Sequence, residues 1–254
     1  MAAIFKKGKL HCGGSLINNK YVLTAGHCIR QKYGANAPDR HTIMKWYNQL
    51  LETGSLLKKK GSGKKPAPAA RVEDVRQAFQ RSNLLWTMVV RNHQLTVILG
   101  MHDRVKAQGR YIKRIGFEKL ILHRSFKSYA IHDVNDIGLI KLKDNVYYSE
   151  AIKPVCLPKP GVKVIPQEAC MNTTVGENLE DTMLCAYEFG NDACQGDSGG
   201  PLVYEKTPNK VEQIGVVSWG LGCAQPGIPG VYTKVTEYLQ WIKDQTKDAI
   251  YCER

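Results

Sequence analysis

Residues 194 to 201 read Cys194-Gln195-Gly196-Asp197-Ser198-Gly199-Gly200-Pro201, and what this octapeptide can do decides how the rest of the chain is read. Three glycines crowd one serine, so backbone N–H groups can approach a reacting oxygen with no side chain in the way. A serine hydroxyl is a weak nucleophile unaided. It needs an imidazole to take its proton and a buried carboxylate to orient that imidazole. Two distant segments offer these groups, Thr24-Ala25-Gly26-His27-Cys28 and Asn135-Asp136-Ile137-Gly138-Leu139-Ile140, giving the chain order His, Asp, Ser. Asp136 leads directly into an apolar run, as a buried orienting group should.

Outward from these segments the chain is punctuated as a β protein. Residues 9–28 read as a short strand, a turn at Gly13-Gly14, and a second apolar run from Tyr21 to Ala25. Further runs of strand character lie at Leu95 to Leu99, Ile137 to Leu142, Val162 to Ile165, Pro201 to Tyr204, Ile214 to Trp219 and Gly230 to Val235, with Gly, Pro and Asn in most gaps. Many short strands so punctuated predict an all-β sandwich or barrel. Glu237 to Asp248 places Leu239 and Ile242 at helical spacing and predicts a C-terminal helix.

Residues 31–91 break the pattern. Pro38 opens a helical repeat of Ile43, Trp46, Tyr47, Leu50 and Leu51 that Gly54 closes. Leu57 to Ala70 is basic, rich in Gly, Pro and Ala, and reads as a linker. A second helical pattern follows through Val72, Val75, Phe79, Leu84 and Leu85. The chain therefore divides into residues 1–30, a basic helical insert at 31–91, and residues 92–254.

With 254 residues, 43% hydrophobic and 23% charged, the chain can bury real cores, which excludes a wholly disordered protein. The formal charge of +13 is local: Arg30 through Arg91 holds 13 Lys and Arg against Asp39, Glu52, Glu73 and Asp74, leaving only +4 elsewhere. No window approaches the roughly 18 apolar residues of a membrane helix. The start, Met1 to Ile4 followed by Lys6 and Lys7, lacks a signal-like apolar region. Eight cysteines without a Cys-x-x-Cys pair argue for disulfides over zinc, hence for an extracellular setting that the first residues do not announce.

Taken together, these motifs resemble a trypsin-like serine protease of the chymotrypsin family. The likeness covers residues 4–30 and 92–249 and includes His11-Cys12-Gly13-Gly14-Ser15-Leu16-Ile17, the three segments above, Ser218-Trp219-Gly220, and Gly222-Cys223-Ala224 running on to Pro229-Gly230-Val231-Tyr232. It implies a two-lobed antiparallel β-barrel fold with a C-terminal helix. It implies His27 as general base, Asp136 as its orienter, Ser198 as nucleophile, and the Gly196 and Ser198 amides as oxyanion donors. Substrate would pair with Ser218, Trp219 and Gly220. Asp192, six residues before the serine, matches the floor of the specificity pocket, with Gly220 and Gly230 as its small walls, so cleavage after Arg or Lys of protein or peptide substrates is implied. The implied disulfides are Cys12–Cys28, Cys170–Cys185 and Cys194–Cys223. Cys156 resembles the cysteine that ties such domains to an upstream pro-segment, and Cys252 has no match. The chemistry calls for no metal or organic cofactor. Asn172-Thr173-Thr174 is a glycosylation acceptor pattern for a secreted chain.

Several features depart from the family. No freed Ile-Val-Gly-Gly-like end is present to place an amine beside Asp197, which implies a weakened oxyanion hole. His27 to Asp136 spans 109 positions against roughly 45 in the chymotrypsin order, a surplus close to the insert's length. Asp136 to Ser198 spans 62 against roughly 93, because a Thr-Gly-Trp-Gly-like segment after Pro160-Gly161 is lacking, and this implies an incomplete second barrel. Tyr33-Gly34 through Lys64-Lys65-Pro66 resembles part of a transposon-derived helix-turn-helix module, with Lys58, Lys59, Lys60, Lys64 and Lys65 as phosphate contacts and Trp46 and Tyr47 behind them. A solvated linker is the commoner meaning of such a run, so nucleic acid is not the expected partner. The leading function is thus a serine endopeptidase. Its rivals are a catalytically impaired homologue or damaged gene product, and a nucleic-acid-binding chimera through 31–91. Asp103, Asp133, His102, His123 and His132 read as turn, cap or surface groups with no part in chemistry.

Overall fold

The computed structural model describes residues 1–30, 95–101, 111–159, 167–187, 193, 196–207, 210–222 and 227–251. Compactness divides the chain into two units, Met1–Arg30 with His93–Arg254, and Gln31–Asn92. Everything described below belongs to the first. The expected helical insert at 31–91 and the expected strand at Val162 to Ile165 lie outside the described residues.

The protein is mostly β. Strands β1 (Ala2–Lys6) and β2 (Lys9–Leu16) form a hairpin whose two turn residues, Lys7 and Gly8, have φ of 51° and 75°. Two consecutive left-handed residues give the turn whose twist matches that of the flanking strands. The anticipated turn at Gly13-Gly14 is instead the middle of β2. Glycine serves close approach at these positions: a Cβ on Gly13 would lie 3.1 Å from the Gly200 Cα, and one on Gly14 would lie 2.7 Å from Val22 Cγ1.

The first lobe adds β3 (Tyr21–Thr24), β4 (Leu95–Leu99), β5 (Lys113–Ile115), β6 (Phe117–Leu122) and β9 (Gly138–Leu142), with short β7 (Lys127–Ser128) and β8 (Asp133–Val134) pairing beside them. Its seven-stranded sheet runs β5-β4-β1-β2-β3-β9-β6 with antiparallel neighbours throughout. The two outermost strands, β5 and β6, are joined by Gly116 alone, so the sheet curls until its ends meet. Curling buries all four residues of β3 and every residue of β9 but Lys141. Ile4, Leu23, Leu99, Ile137, Leu139 and Ile140 fill the interior at 0–1% exposure.

The second lobe consists of β10 (Met183–Ala186), β11 (Pro201–Thr207), β12 (Lys210–Trp219) and β13 (Gly230–Lys234), in the order β10-β13-β12-β11. A smaller core of Val134, Val175, Met183 and Val231 lies beneath it. Helix α1 (Gly26–Ile29) follows β3 directly, and helix α2 (Gln167–Met171) is tied to β10 by the Cys170–Cys185 disulfide. A 3-10 turn at Val235–Tyr238 leads into α3 (Leu239–Gln245), whose Leu239 and Ile242 join the first lobe's core. The helix ends earlier than its apolar spacing predicts: the Thr246 hydroxyl bonds back to the Ile242 carbonyl at 2.8 Å, and Thr246 itself lies outside the helix. Among the described residues no helix is long and apolar enough to cross a membrane.

The reading of Cys156 as a tether to an upstream segment is overturned, because Cys156 is disulfide-bonded within this chain and no described cysteine is free. The backbone around Cys156 is also held in place. Val155 N–H donates to Leu16 O at 2.8 Å and Gln213 N–H donates to Cys156 O at 2.9 Å, so this stretch is clamped between strands of both lobes. Its sulfur partner lies outside the described residues.

Ile140 is fully buried and pairs with Val22 on one side and Leu120 on the other. Ile140→Ala is expected to lower the unfolding free energy by about 2–5 kcal/mol in urea titrations, since it opens a cavity between three strands. Ile250→Ala, at a side chain 71% exposed, is expected to stay within about 0.5 kcal/mol of the parent.

Candidate active site

His27 lies on the single turn of α1, and its neighbours explain why that turn is built as it is. A Cβ on Gly26 would lie 2.8 Å from Leu122 Cδ1 and 3.2 Å from Asp136 Oδ1, so only glycine lets the turn close over Asp136. The Cys12–Cys28 disulfide fastens the same turn to β2. Asp136, at 1% exposure, lies two residues before β9 and is placed by the pairing of β9 with β3.

The carboxylate is fully engaged. Oδ1 accepts the His27 backbone N–H at 2.8 Å, and Oδ2 lies 2.8 Å from His27 Nδ1 and accepts the Ser218 hydroxyl at 2.5 Å. The backbone carbonyl of Asp136 accepts the Thr233 hydroxyl at 2.7 Å. Because an ionised carboxylate only accepts, Nδ1 carries the proton and the neutral ring keeps its lone pair at Nε2. Nε2 is thereby available as a base on the side away from Asp136.

Ser198 belongs to the turn Gly196 to Gly199, in which Gly196 has φ of 98° and Gly199 φ of 81°. At Gly199 a side chain would collide with Thr24 Oγ1 and the Gly13 carbonyl, so the glycine allows the turn to press against β2 and β3. The turn is held by Gly13 N–H to Ser198 O, Gly200 N–H to Asp197 O and Gly199 N–H to Val217 O, all at 2.8 Å. Cys28 Sγ lies 3.6 Å from His27 Nε2 and 3.6 Å from the Ser198 carbonyl, so one sulfur touches both the imidazole and the serine turn. Among the described residues no hydrogen bond joins Nε2 to the Ser198 hydroxyl.

The structure therefore brings His27, Asp136 and Ser218 into hydrogen-bond contact at the seam between the lobes and sets the Ser198 backbone carbonyl against Gly13 and the Cys28 sulfur beside them. Trp219 and Gly220 continue from Ser218, and Gly220 faces Gly230, a Cβ on the former lying 4.0 Å from the Cα of the latter. Asp192, Cys194 and Cys223 lie outside the described residues, as do Cys252, His102 and Asp103. His123 is structural: its ring meets Tyr238 and Trp241 edge-on, with centroids 5.2 and 5.1 Å away. Asp133 is not the bystander that composition suggests. Its Oδ2 is 3.7 Å from His27 Nδ1. No residue-type signal distinguishes it from a turn aspartate, and only the fold of residues 133–136 brings it to the ring.

Electrostatics act on His27 in opposite directions. Burial favours the neutral ring, whereas the Asp136 hydrogen bond and the charges of Asp136 and Asp133 favour the imidazolium and prevail, raising the pKa above the ordinary 6.5. Asp133 is itself raised, first by burial and then by the Asp136 charge, against a hydrogen bond from Ser128 and the charges of His27 and Arg30. The carboxylates with His27 form a three-residue cluster with ligand-type atoms within 4.8 Å of one another. A cation there would displace the 2.8 Å bond between His27 and Asp136, so the proton on Nδ1 already fills the role a metal would take.

The Trypsin family model matches residues 1–65, 87–164 and 161–242. The chain belongs to the trypsin family. It is 28% identical to the clotting factor G beta subunit of Tachypleus tridentatus, over 97% of this chain and 75% of that relative. It is 34% identical to the tissue-type plasminogen activator of Homo sapiens, over 61% of this chain and 35% of the relative. With the suppressor of tumorigenicity 14 protein homolog of Bos taurus it shares 33% identity, over 59% of this chain and 21% of the relative. This trypsin-family chain thus spans about a third or less of the last two. The family match runs through residue 65 and takes in part of the segment read as helix-turn-helix-like, a likeness that the comparisons do not support.

A raised folded-state pKa means that the interaction of His27 with its carboxylates stabilises the fold fully below the unfolded value near 6.5, and that this contribution fades as pH rises through the folded value. Urea unfolding between about pH 5 and pH 9 is expected to show the parent's advantage over His27→Gln largest at the acid end and smaller at the alkaline end.

Proposed function

We propose that this chain is a serine endopeptidase that cleaves peptide bonds after Arg or Lys. The observation that carries the reading is the buried Asp136 carboxylate, which accepts both the backbone N–H and the Nδ1 proton of His27 and so leaves the Nε2 lone pair free to act as a base. In this reaction Nε2 takes the Ser198 proton as Oγ attacks the scissile carbonyl. The amides of Gly196 and Ser198 receive the charge that develops on the carbonyl oxygen. The imidazolium then gives its proton to the leaving amine, an acyl-serine forms, and water delivered by the same base releases the acid. The Nε2 to Oγ hydrogen bond belongs to the substrate complex, since such contacts are commonly long in unliganded enzymes and tighten on binding.

The specificity rests on Asp192, whose sequence position six residues before Ser198 matches the carboxylate that selects a long cationic side chain in trypsin-like proteases, with Gly220 and Gly230 as the small wall residues of that pattern. Ser218, Trp219 and Gly220 supply the strand edge along which substrate backbone pairs. Residues 31–91 are a basic insert within the protease domain, supported by the division of the chain at Arg30 and His93. Disulfides support an oxidising, extracellular setting.

A fluorophosphonate probe is expected to label the parent chain and to leave Ser198→Ala unlabelled; equal labelling of both would refute the nucleophile assignment. Asp136→Asn is expected to lower kcat on Arg and Lys peptides by about 10⁴-fold, because the ring loses its correct tautomer. Asp192→Ser is expected to erase the preference for Arg and Lys over uncharged residues, and an unchanged preference would remove the pocket role.

A further inference from the structure

The loop before β9 holds a second carboxylate beside the imidazole. Asp133 and Asp136 are three residues apart, and in an extended strand such residues would face opposite sides. The chain between them is not extended. Asn135 has φ of 51°, a left-handed conformation that asparagine tolerates, and it is fastened there from both ends. Its Nδ2 donates to Ser125 O at 3.1 Å and its Oδ1 accepts the Tyr238 hydroxyl at 2.9 Å, while Ile137 N–H closes back on Asn135 O at 2.9 Å. Val134 is buried at 4% exposure, and the β7–β8 pairing sets Asp133 opposite Ser128. The kink turns both acidic side chains toward the Nδ1 edge of His27, Asp136 at 2.8 Å and Asp133 at 3.7 Å.

We infer that Asp133 is a positioning residue for the His27 base: it makes no hydrogen bond to the ring, acts through its charge on Nδ1, and sets the pH at which Nε2 becomes free to accept a proton. In its kinetic part this rests on the protease reading. The other groups around the ring do not supply the same effect. Asp136 is the hydrogen-bonded partner. Ser218 and Ser198 are neutral hydroxyls. His11, on β2, lies near enough to interact electrostatically with His27, but burial lowers its own pKa and so favours its neutral form. Arg30, at the end of α1, offsets Asp133 in part. A largely buried carboxylate this close favours the protonated ring even after solvent screening, in the same direction as Asp136. The consequence for activity is a base that works best in neutral to alkaline medium and is held protonated when the pH falls.

The test follows the His27 ring by NMR titration in the parent chain, Asp133→Asn and Asp133→Ser, beside the acid limb of kcat/KM on an Arg peptide. Both variants are expected to lower the ring midpoint by at least about half a unit and to move the acid limb by the same amount, so that turnover one unit below the parent midpoint rises about threefold. Unmoved midpoints in either folded variant overturn the inference, as does a rise. A variant that loses only packing would change stability and leave the midpoint in place. The ring titration needs no turnover: a shifted ring in a chain that hydrolyses nothing supports the role of Asp133 and defeats the protease reading, whereas hydrolysis with unmoved midpoints does the reverse.

Discussion

Everything at the seam of this molecule depends on keeping one carboxylate ionised out of water. Asp136 is almost completely buried, and a buried anion without partners is among the most costly groups a protein can hold. Its donors come from both lobes: the amide and ring of His27 from the first, and the Ser218 hydroxyl from β12 of the second, with Thr233 of β13 bonded to its carbonyl. Neither lobe alone can satisfy it. Docking of the lobes and orientation of the imidazole are therefore one event, and the rigidity of the base is a by-product of satisfying the acid.

A hydroxyl, a backbone amide and an imidazole can reach one carboxylate only if the backbones carrying them approach unusually closely. Glycine makes this possible at Gly13, Gly26 and Gly199, each at a point where a Cβ would meet the backbone of a distant segment, a neighbouring side chain or the carboxylate itself. The glycine-rich serine motif is thus partly about packing. Its φ-positive residues shape the turn, and the missing side chains let that turn lie against β2, where Gly13 N–H bonds to Ser198 O. The buried hydrogen bond from Ser15 to Gln213, at 2.5 Å, runs across the same seam and adds a second polar tie.

The parts of this arrangement that were legible in the sequence are those whose chemistry is local. His27 and Asp136 each lie in a short segment whose residues suggest a hydrogen-bonded pair, and the structure joins them, while strands β3, β4, β9, β12 and β13 stand out as largely apolar runs. Strands β1, β5 and β6 gave no such signal. Ala2–Lys6 is held by pairing with both β2 and β4, and the partly exposed β6 alternates too weakly to stand out. Gly13-Gly14 misled for a definite reason: glycine marks turns and close contacts alike, and only the opposing backbone at Gly200 tells which applies. Cys156 misled similarly, since its sequence surroundings say nothing about which sulfur reaches it.

Asp133 shows the same limit at the level of electrostatics. It stands three positions before Asp136, a spacing that in a strand would send the two side chains apart, and one left-handed asparagine reverses that outcome. The imidazole consequently faces two carboxylates on its Nδ1 edge while burial acts against the charge they favour, and the carboxylates prevail. Burial alone would leave a ring that is neutral but too weak a base to hold a proton in transit. Carboxylates alone, in water, would be screened to little effect. Partial burial raises the strength of the nearby charges while it penalises the ion they favour, so a base placed at a lobe seam can be strengthened without becoming permanently protonated.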